Sequence, residues 1–162
     1  MVTSMGVIVV ELDRVKAPIT VDNFLEHVVK GEYNNTIFHR IIDDFVVQGG
    51  GYNAKFESKK VGKNIFNESG NGLKNDVGTI AMAKENGPHT ANRQFFFNLI
   101  DNKTLDPGRK WGYAVFGAIV EGEEVLEAIA KVPTDYDEAM GWNDVPVKQV
   151  MLIKATLLPA TD

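Results

Sequence analysis

The chain has 162 residues, 44% hydrophobic and 24% charged, with a net charge of −5 and no cysteine. That length fits one domain, 1–162, able to bury roughly 70% of its unfolded surface. The acidic balance argues against a general nucleic-acid binder, and the lack of cysteine excludes disulfides, zinc fingers, iron–sulfur clusters and thiol catalysis.

Residues 1–13, MVTSMGVIVVELD, lack a charged n-region followed by an apolar h-region, and their β-branched run over 5–12 predicts a strand, not a signal peptide. As written, the chain is expected in the cytoplasm; a periplasmic protein in which Met1 replaces a removed signal would read the same. In APITVDNFLEHVVKG the apolar residues Val21, Phe24, Leu25, Val28 and Val29 recur with the spacing of one helix face. Thr20 is the expected N-cap of this helix and Gly31 its C-terminal stop. Two strands are predicted over 36–42 and 45–49, joined through Asp43 and Asp44. Residues 52–76, rich in Gly, Asn and Lys, read as a long surface loop. VGTIAMA (77–83) and RQFFFNLI (93–100) are strands separated by the polar KENGPHTAN, and YAVFGAIV (113–120) is another. EGEEVLEAIAKV predicts a second helix with Val125, Leu126 and Ile129 facing inward and acidic residues at its dipole-positive end. Another loop leads to a last strand in VKQVMLIKATLL, and no stretch reaches the roughly 18 apolar residues of a membrane span.

About eight short strands, two helices and no βαβ alternation favour an all-β-dominated fold, a closed antiparallel barrel whose interior side chains fill. A ligand site would then lie on the outer wall. Alternation along TIFHRI places Phe38 and Arg40 on one side and Ile37, His39 and Ile41 on the other, the expected core side. In RQFFFN, Gln94 and Phe96 share one face while Phe95 and Phe97 share the opposite one. Both aromatic faces cannot enter one core, so one is covered by something else or left open for a ligand. Phe45 and Phe96 are equally compatible with core and with site, and His39 reads as a satisfied, core-lining histidine. His27, His39 and His89 are far apart, with no carboxylate at ligand spacing, so no metal site is expected. The glycines at 49–51 are followed by no phosphate-loop pattern, Asp43–Asp44 reads as a turn, and no serine lies in a GxSxG setting.

The segments FHRIIDDFVVQGGGY, GTIAMA, RQFFFNLIDNKTLD and WGYAVFGAIVEG resemble, in order, the signature segments of the cyclophilin family of peptidyl-prolyl cis–trans isomerases, and the resemblance covers nearly the whole chain. YNNTIFHR and WGYAVF are most similar to bacterial members. The resemblance implies an eight-stranded barrel capped by two helices, with the proline site on its outer wall. It makes Arg40 the catalytic arginine, and Gln48 is counted in the catalytic set because it can hold the guanidinium in aim. Phe45, Val46, Phe96 and Leu105 would form the proline pocket, with Gln94 along the groove and Tyr113 beside the pocket. Ala83 and Lys84 would stand where the substrate backbone is held. Val46, Tyr113 and Thr104 replace the methionine, histidine and tryptophan common in eukaryotic relatives, and the segment AMAKENGPHTANRQFF (81–96) is one residue longer. Loss of that tryptophan is expected to weaken cyclosporin binding.

The implied partners are proline-containing peptides and unfolded or folding proteins, with no cofactor, nucleic acid or membrane, and a monomeric state. The loop 52–76 and the residues around Lys84 and Glu85 are expected to set the preference for the residue before proline. Two classes of function use the same groove: an enzyme that isomerises X–Pro bonds, and a proline-peptide binding module or holdase chaperone with incidental turnover. An arginine aimed at the prolyl nitrogen favours the enzyme, because binding alone has no use for that donor.

Overall fold

Two runs that read as single strands each turn a corner and enter two different sheets. In the computed structural model, which describes residues 1–60 and 62–159, the chain opens with β1 (Val2–Thr3), β2 (Gly6–Val7), β3 (Val9–Leu12) and helix α1 (Pro18–Val29). Then come β4 (Thr36–Ile37), β5 (Arg40–Ile42), β6 (Val46–Gly49), β7 (Thr79–Met82), β8 (Phe95–Asn98), a 3₁₀ turn over Lys103–Leu105 and β9 (Val115–Glu121). Helix α2 (Glu123–Ala130), β10 (Thr134–Asp137), β11 (Trp142–Pro146) and β12 (Met151–Lys154) complete it. Position 61 of the long loop and residues 160–162 at the end of the expected domain lie outside the described residues.

The strands pair in three sheets: β2-β1-β12-β4, β10-β11 and the six-stranded β3-β9-β7-β8-β6-β5. The mostly-β architecture with two helices stands, but the closed eight-stranded barrel does not: the twelve described strands are short, and no hydrogen-bond ladder joins the sheets into a closed cylinder. The reason lies in the corners. The 5–12 run breaks at Ile8, so that β2 pairs with β1 while β3 pairs with β9. The 36–42 run breaks at Phe38–His39, so that β4 pairs with β12 and β5 with β6. Strands that switch sheets at a bend are how two sheets stack across each other.

The same corner overturns simple alternation along TIFHRI. Phe38 and Ile41 both enter the main core, while Ile37 and His39 are buried elsewhere. That core packs Phe24 of α1 edge-on against Phe95, with ring centroids 5.6 Å apart, and gathers Tyr33, Phe97 and Phe116 around them. α2 adds Leu126 and Ile129, with Val125 half-buried.

α1 begins one turn earlier than expected. Its N-cap is Ala17, which has no side-chain oxygen, and Thr20 is already inside the helix. The missing acceptor comes from the long loop: the Glu68 carboxylate accepts hydrogen bonds from the Ile19 and Thr20 N–H groups and from the Thr20 hydroxyl at 3.2, 2.8 and 2.6 Å. At the other end Gly31, at φ +68°, donates to the Val28 carbonyl and Glu32 to that of His27, closing the helix as expected. Val29, at the edge of the apolar stripe, is 75% exposed. The segment after α2, which read as loop, contains the β10–β11 ribbon; its polar sequence, TDYDEAMGWNDVP, hides the period-two pattern of a strand.

Because a carboxylate both caps the helix and complements its dipole, Glu68→Ala is expected to cost on the order of 1 kcal/mol and lower the melting temperature by about 2–4 °C. Thermal unfolding followed by circular dichroism measures it; an unchanged midpoint would mean that water replaces the carboxylate at no cost.

Candidate active site

Register across the large sheet assembles the site. Arg40 on β5 lies opposite Gln48 on β6, Gln48 opposite Phe96 on β8, and Phe96 opposite Ala81 on β7. Residues directly opposite in an antiparallel pair project from the same face. Arg40, Gln48 and Phe96 therefore stand in one row, although they come from separate segments. The half-buried Arg40 donates through Nη1 to Gln48 Oε1 at 3.4 Å, and Gln48 donates through Nε2 to Gln94 Oε1 at 2.9 Å. Gln94 in turn lies on the bare backbone of Gly51, where a Cβ would come within 2.5 Å of its Nε2. The guanidinium is thus steered by two amides in series, the second wedged against a glycine.

Phe96 belongs to a second apolar cluster with Val46, Ala81 and Val115, on the sheet face opposite the core that holds Phe95 and Phe97. Half-buried Phe45, Leu105 and Tyr113 form its rim, and Tyr113 meets Phe96 edge-on at 5.7 Å. Lys84 holds its Nζ 4.7 Å from the Tyr113 ring centre. Phe96 itself is only 4% exposed, so what this cluster offers to a ligand is its rim.

Beside it opens a cleft of about 550 Å³. Of the sequence-predicted residues, Arg40, Gln48, Ala83, Lys84 and Gln94 line this cleft, whereas Phe45, Val46, Phe96, Leu105 and Tyr113 form the adjoining cluster. The far wall is Trp142 and Asp144 of β11, and among the described residues of the loop 52–76 only Tyr52 reaches the cleft. His39 also lines it and is not the satisfied core histidine expected: its Nδ1 is enclosed without a hydrogen-bond partner among the described residues. Burial first, and the neighbouring Arg40 charge second, push the His39 pKa down to about 4, so the imidazole is neutral at physiological pH.

Buried polar groups brace the rim, and sequence reasoning missed them. Asn102 Nδ2 donates to the Phe45 carbonyl and to Asn98 Oδ1, both at 2.9 Å. Asn98 Nδ2 donates to Asn75 Oδ1 at 3.1 Å, and Asn75 Nδ2 donates to the carbonyls of Leu105 and Tyr113 at 3.2 and 3.3 Å. Arg93, 2% exposed, donates to the carbonyls of Gly50, Lys60 and Glu32 at 2.7, 2.8 and 2.7 Å, and so ties the glycine turn beside the site to the end of α1. The one signal in the sequence was the polar residues flanking FFF: a buried amide or guanidinium at a strand end has to find partners.

A family model described as "Cyclophilin type peptidyl-prolyl cis-trans isomerase/CLD" matches residues 1–157. A curated peptidyl-prolyl cis-trans isomerase of Streptomyces antibioticus is 48% identical over 160 residues, covering 96% of this chain and 95% of that protein. Peptidyl-prolyl cis-trans isomerase B of Escherichia coli strain K12 is 42% identical over 159 residues, covering 96% of each. Among solved structures, a cyclophilin type peptidyl-prolyl cis-trans isomerase of Cryptosporidium parvum, crystallised in the presence of the dipeptide Ala-Pro, aligns with a TM-score of 0.76 at 26% identity, over 99% of this chain and 98% of that one.

His39 gives the site a pH signature. Its folded pKa lies below the ordinary value, so the unfolded chain takes up the proton first; the His39 contribution to stability is whole above about pH 6.5 and is lost as pH falls toward 4. In an NMR titration its ring nitrogens are expected to stay in the neutral state until about pH 4. An inflection near the ordinary histidine value would show that the ring is solvated.

Proposed function

The chain belongs to the cyclophilin-type peptidyl-prolyl cis–trans isomerase family and isomerises X–Pro peptide bonds, and from that premise we propose that Arg40 drives the rotation. The bond has partial double-bond character and a barrier of roughly 18–20 kcal/mol. Nothing is cleaved, so the reaction needs neither nucleophile nor leaving group. As the bond twists, amide resonance is lost and the prolyl nitrogen becomes pyramidal and gains a lone pair. A donor aimed at that nitrogen stabilises the twisted state more than either planar one, and only such differential binding accelerates the step.

Arginine suits the role because it is always protonated and presents a rigid planar fork. In a half-buried position its field is stronger than in water. Gln48 is the positioning residue, held in turn by Gln94. The pyrrolidine ring rests on the rim of Phe45, Leu105 and Tyr113 above Phe96 and Val46, while Ala83 and Lys84 take the substrate backbone. A gain of about five decades in rate requires about 7 kcal/mol, within reach of one charged donor and a site that grips the ring while the preceding carbonyl turns. The observation that carries this reading is the row Arg40–Gln48–Phe96, which sets a steered cation beside an apolar seat. The related structure obtained with Ala-Pro supports proline peptides as the ligand class. Thr104, exposed on the 3₁₀ turn, offers no indole, and cyclosporin binding is weak for that reason.

Arg40→Ala is expected to lower kcat/KM by about 10²–10³ with the fold intact, and Arg40→Lys to be nearly as poor because a point charge cannot keep the fork geometry. Gly51→Ala, whose Cβ would displace Gln94, should lower activity without touching the guanidinium directly. Exchange NMR on a proline peptide measures all three; near-wild-type turnover by Arg40→Ala would refute the assignment. Binding without faster exchange in the wild type would leave only a proline-peptide binding module.

A further inference from the structure

The cleft extends past the residues that the isomerase reading uses, and its far side has a chemistry of its own. His39, Tyr52, Phe56 and Trp142 form one aromatic group: Tyr52 and Trp142 have centroids 4.7 Å apart, His39 and Tyr52 4.8 Å, and Phe56 and Trp142 6.1 Å. Trp142 and Asp144, on either side of Asn143 in β11, both line the cleft. Glu85 lines the cleft as well, and the turn that carries it is fixed by its own N–H, which donates to Thr90 Oγ1 at 2.9 Å. Among the described residues, neither Asp144 nor Glu85 has an ion-pair partner.

The cations of the cleft are committed elsewhere: Arg40 to Gln48, and Lys84 to the Tyr113 ring. His39, 8% exposed, adds no positive charge, because it is neutral, and its Nδ1, unpartnered among the described residues, is enclosed, so that the residue gives the cleft its ring and not an acceptor. Aromatic faces and two carboxylates without ion-pair partners together suit one kind of side chain: a flat cation with several donors.

We propose that this part of the cleft is a subsite for a basic substrate side chain, an arginine for preference, stacked on Trp142 and Tyr52 and paired with Asp144 and Glu85. The proposal rests on the isomerase reading and supplies what that reading leaves open, the class of residue favoured near the proline. The wall that sets it joins the β10–β11 ribbon, through Trp142 and Asp144, to Tyr52 of the loop 52–76 and to Glu85.

The test is a positional scan. Alanine-based peptides with a single proline carry Arg, Gln or Glu in turn at each of the three positions on either side of it, and exchange NMR gives kcat/KM for each. At one position Arg is expected to exceed Gln by about five-fold, with Glu below both. Asp144→Asn should bring the ratio at that position close to one; asparagine tolerates the left-handed backbone of residue 144, φ +60°, so the ribbon keeps its shape. Asp144→Glu should retain part of the preference, and raised salt should shrink it in the wild type. Equal rates for Arg and Glu at every position, or an arginine preference undiminished in Asp144→Asn, would overturn the subsite alone. Failure to accelerate any of the peptides would overturn the isomerase reading and the subsite together.

Discussion

The guanidinium of Arg40 is held by an amide that is held by another amide. Everything asked of this surface depends on that series. A free arginine on a strand samples many rotamers, and in the role we propose for Arg40, freezing it at the moment of reaction would use up the interaction it provides. Here the cost is met on folding, through Gln48 and Gln94 and the glycine against which Gln94 lies. The arginine is consequently in place before a substrate arrives.

The apolar side of the site is prepared in the same way, by different means. Phe45, Leu105 and Tyr113 lie on loops or a single 3₁₀ turn, outside the strand ladders. Asn102 and Asn75 add side-chain bonds to the carbonyls of those same residues, and Asn98 links the two amides. A buried amide left without partners is costly, so the network that satisfies Asn75, Asn98 and Asn102 also fixes the rim. Arg93 does the equivalent for the glycine turn, its charge spread over three carbonyl oxygens. Polar side chains inside this fold thus build the platform on which a few exposed ones act.

The corners at Ile8 and at Phe38–His39 have a consequence for the site. Because the 36–42 run bends, His39 and Arg40 both end up lining the cleft, while Phe38 and Ile41 both serve the main core. A straight strand would have sent neighbours to opposite sides. The bend also brings β5 next to the β10–β11 ribbon, where Trp142 meets His39 at 5.6 Å. One local change of direction therefore widens a flat outer wall into a cleft with two sides.

Residue types and spacing by themselves determined both helices, most of the strands of the large sheet, and the opposed faces of Phe95 and Phe96. These follow from periodicities and propensities that act over a few residues. Spacing could not show the split of two runs into separate sheets, the strands hidden in TDYDEAMGWNDVP, the capping of α1 by Glu68 forty-eight positions away from Thr20, or the role of buried asparagines. Each is a pairing between segments distant in the chain, and its energy depends on which groups lose water together. Only the tertiary structure decided that the side chains expected at the proline site divide between a sealed apolar cluster and an open cleft, since burial is a property of what the rest of the chain lays over a side chain.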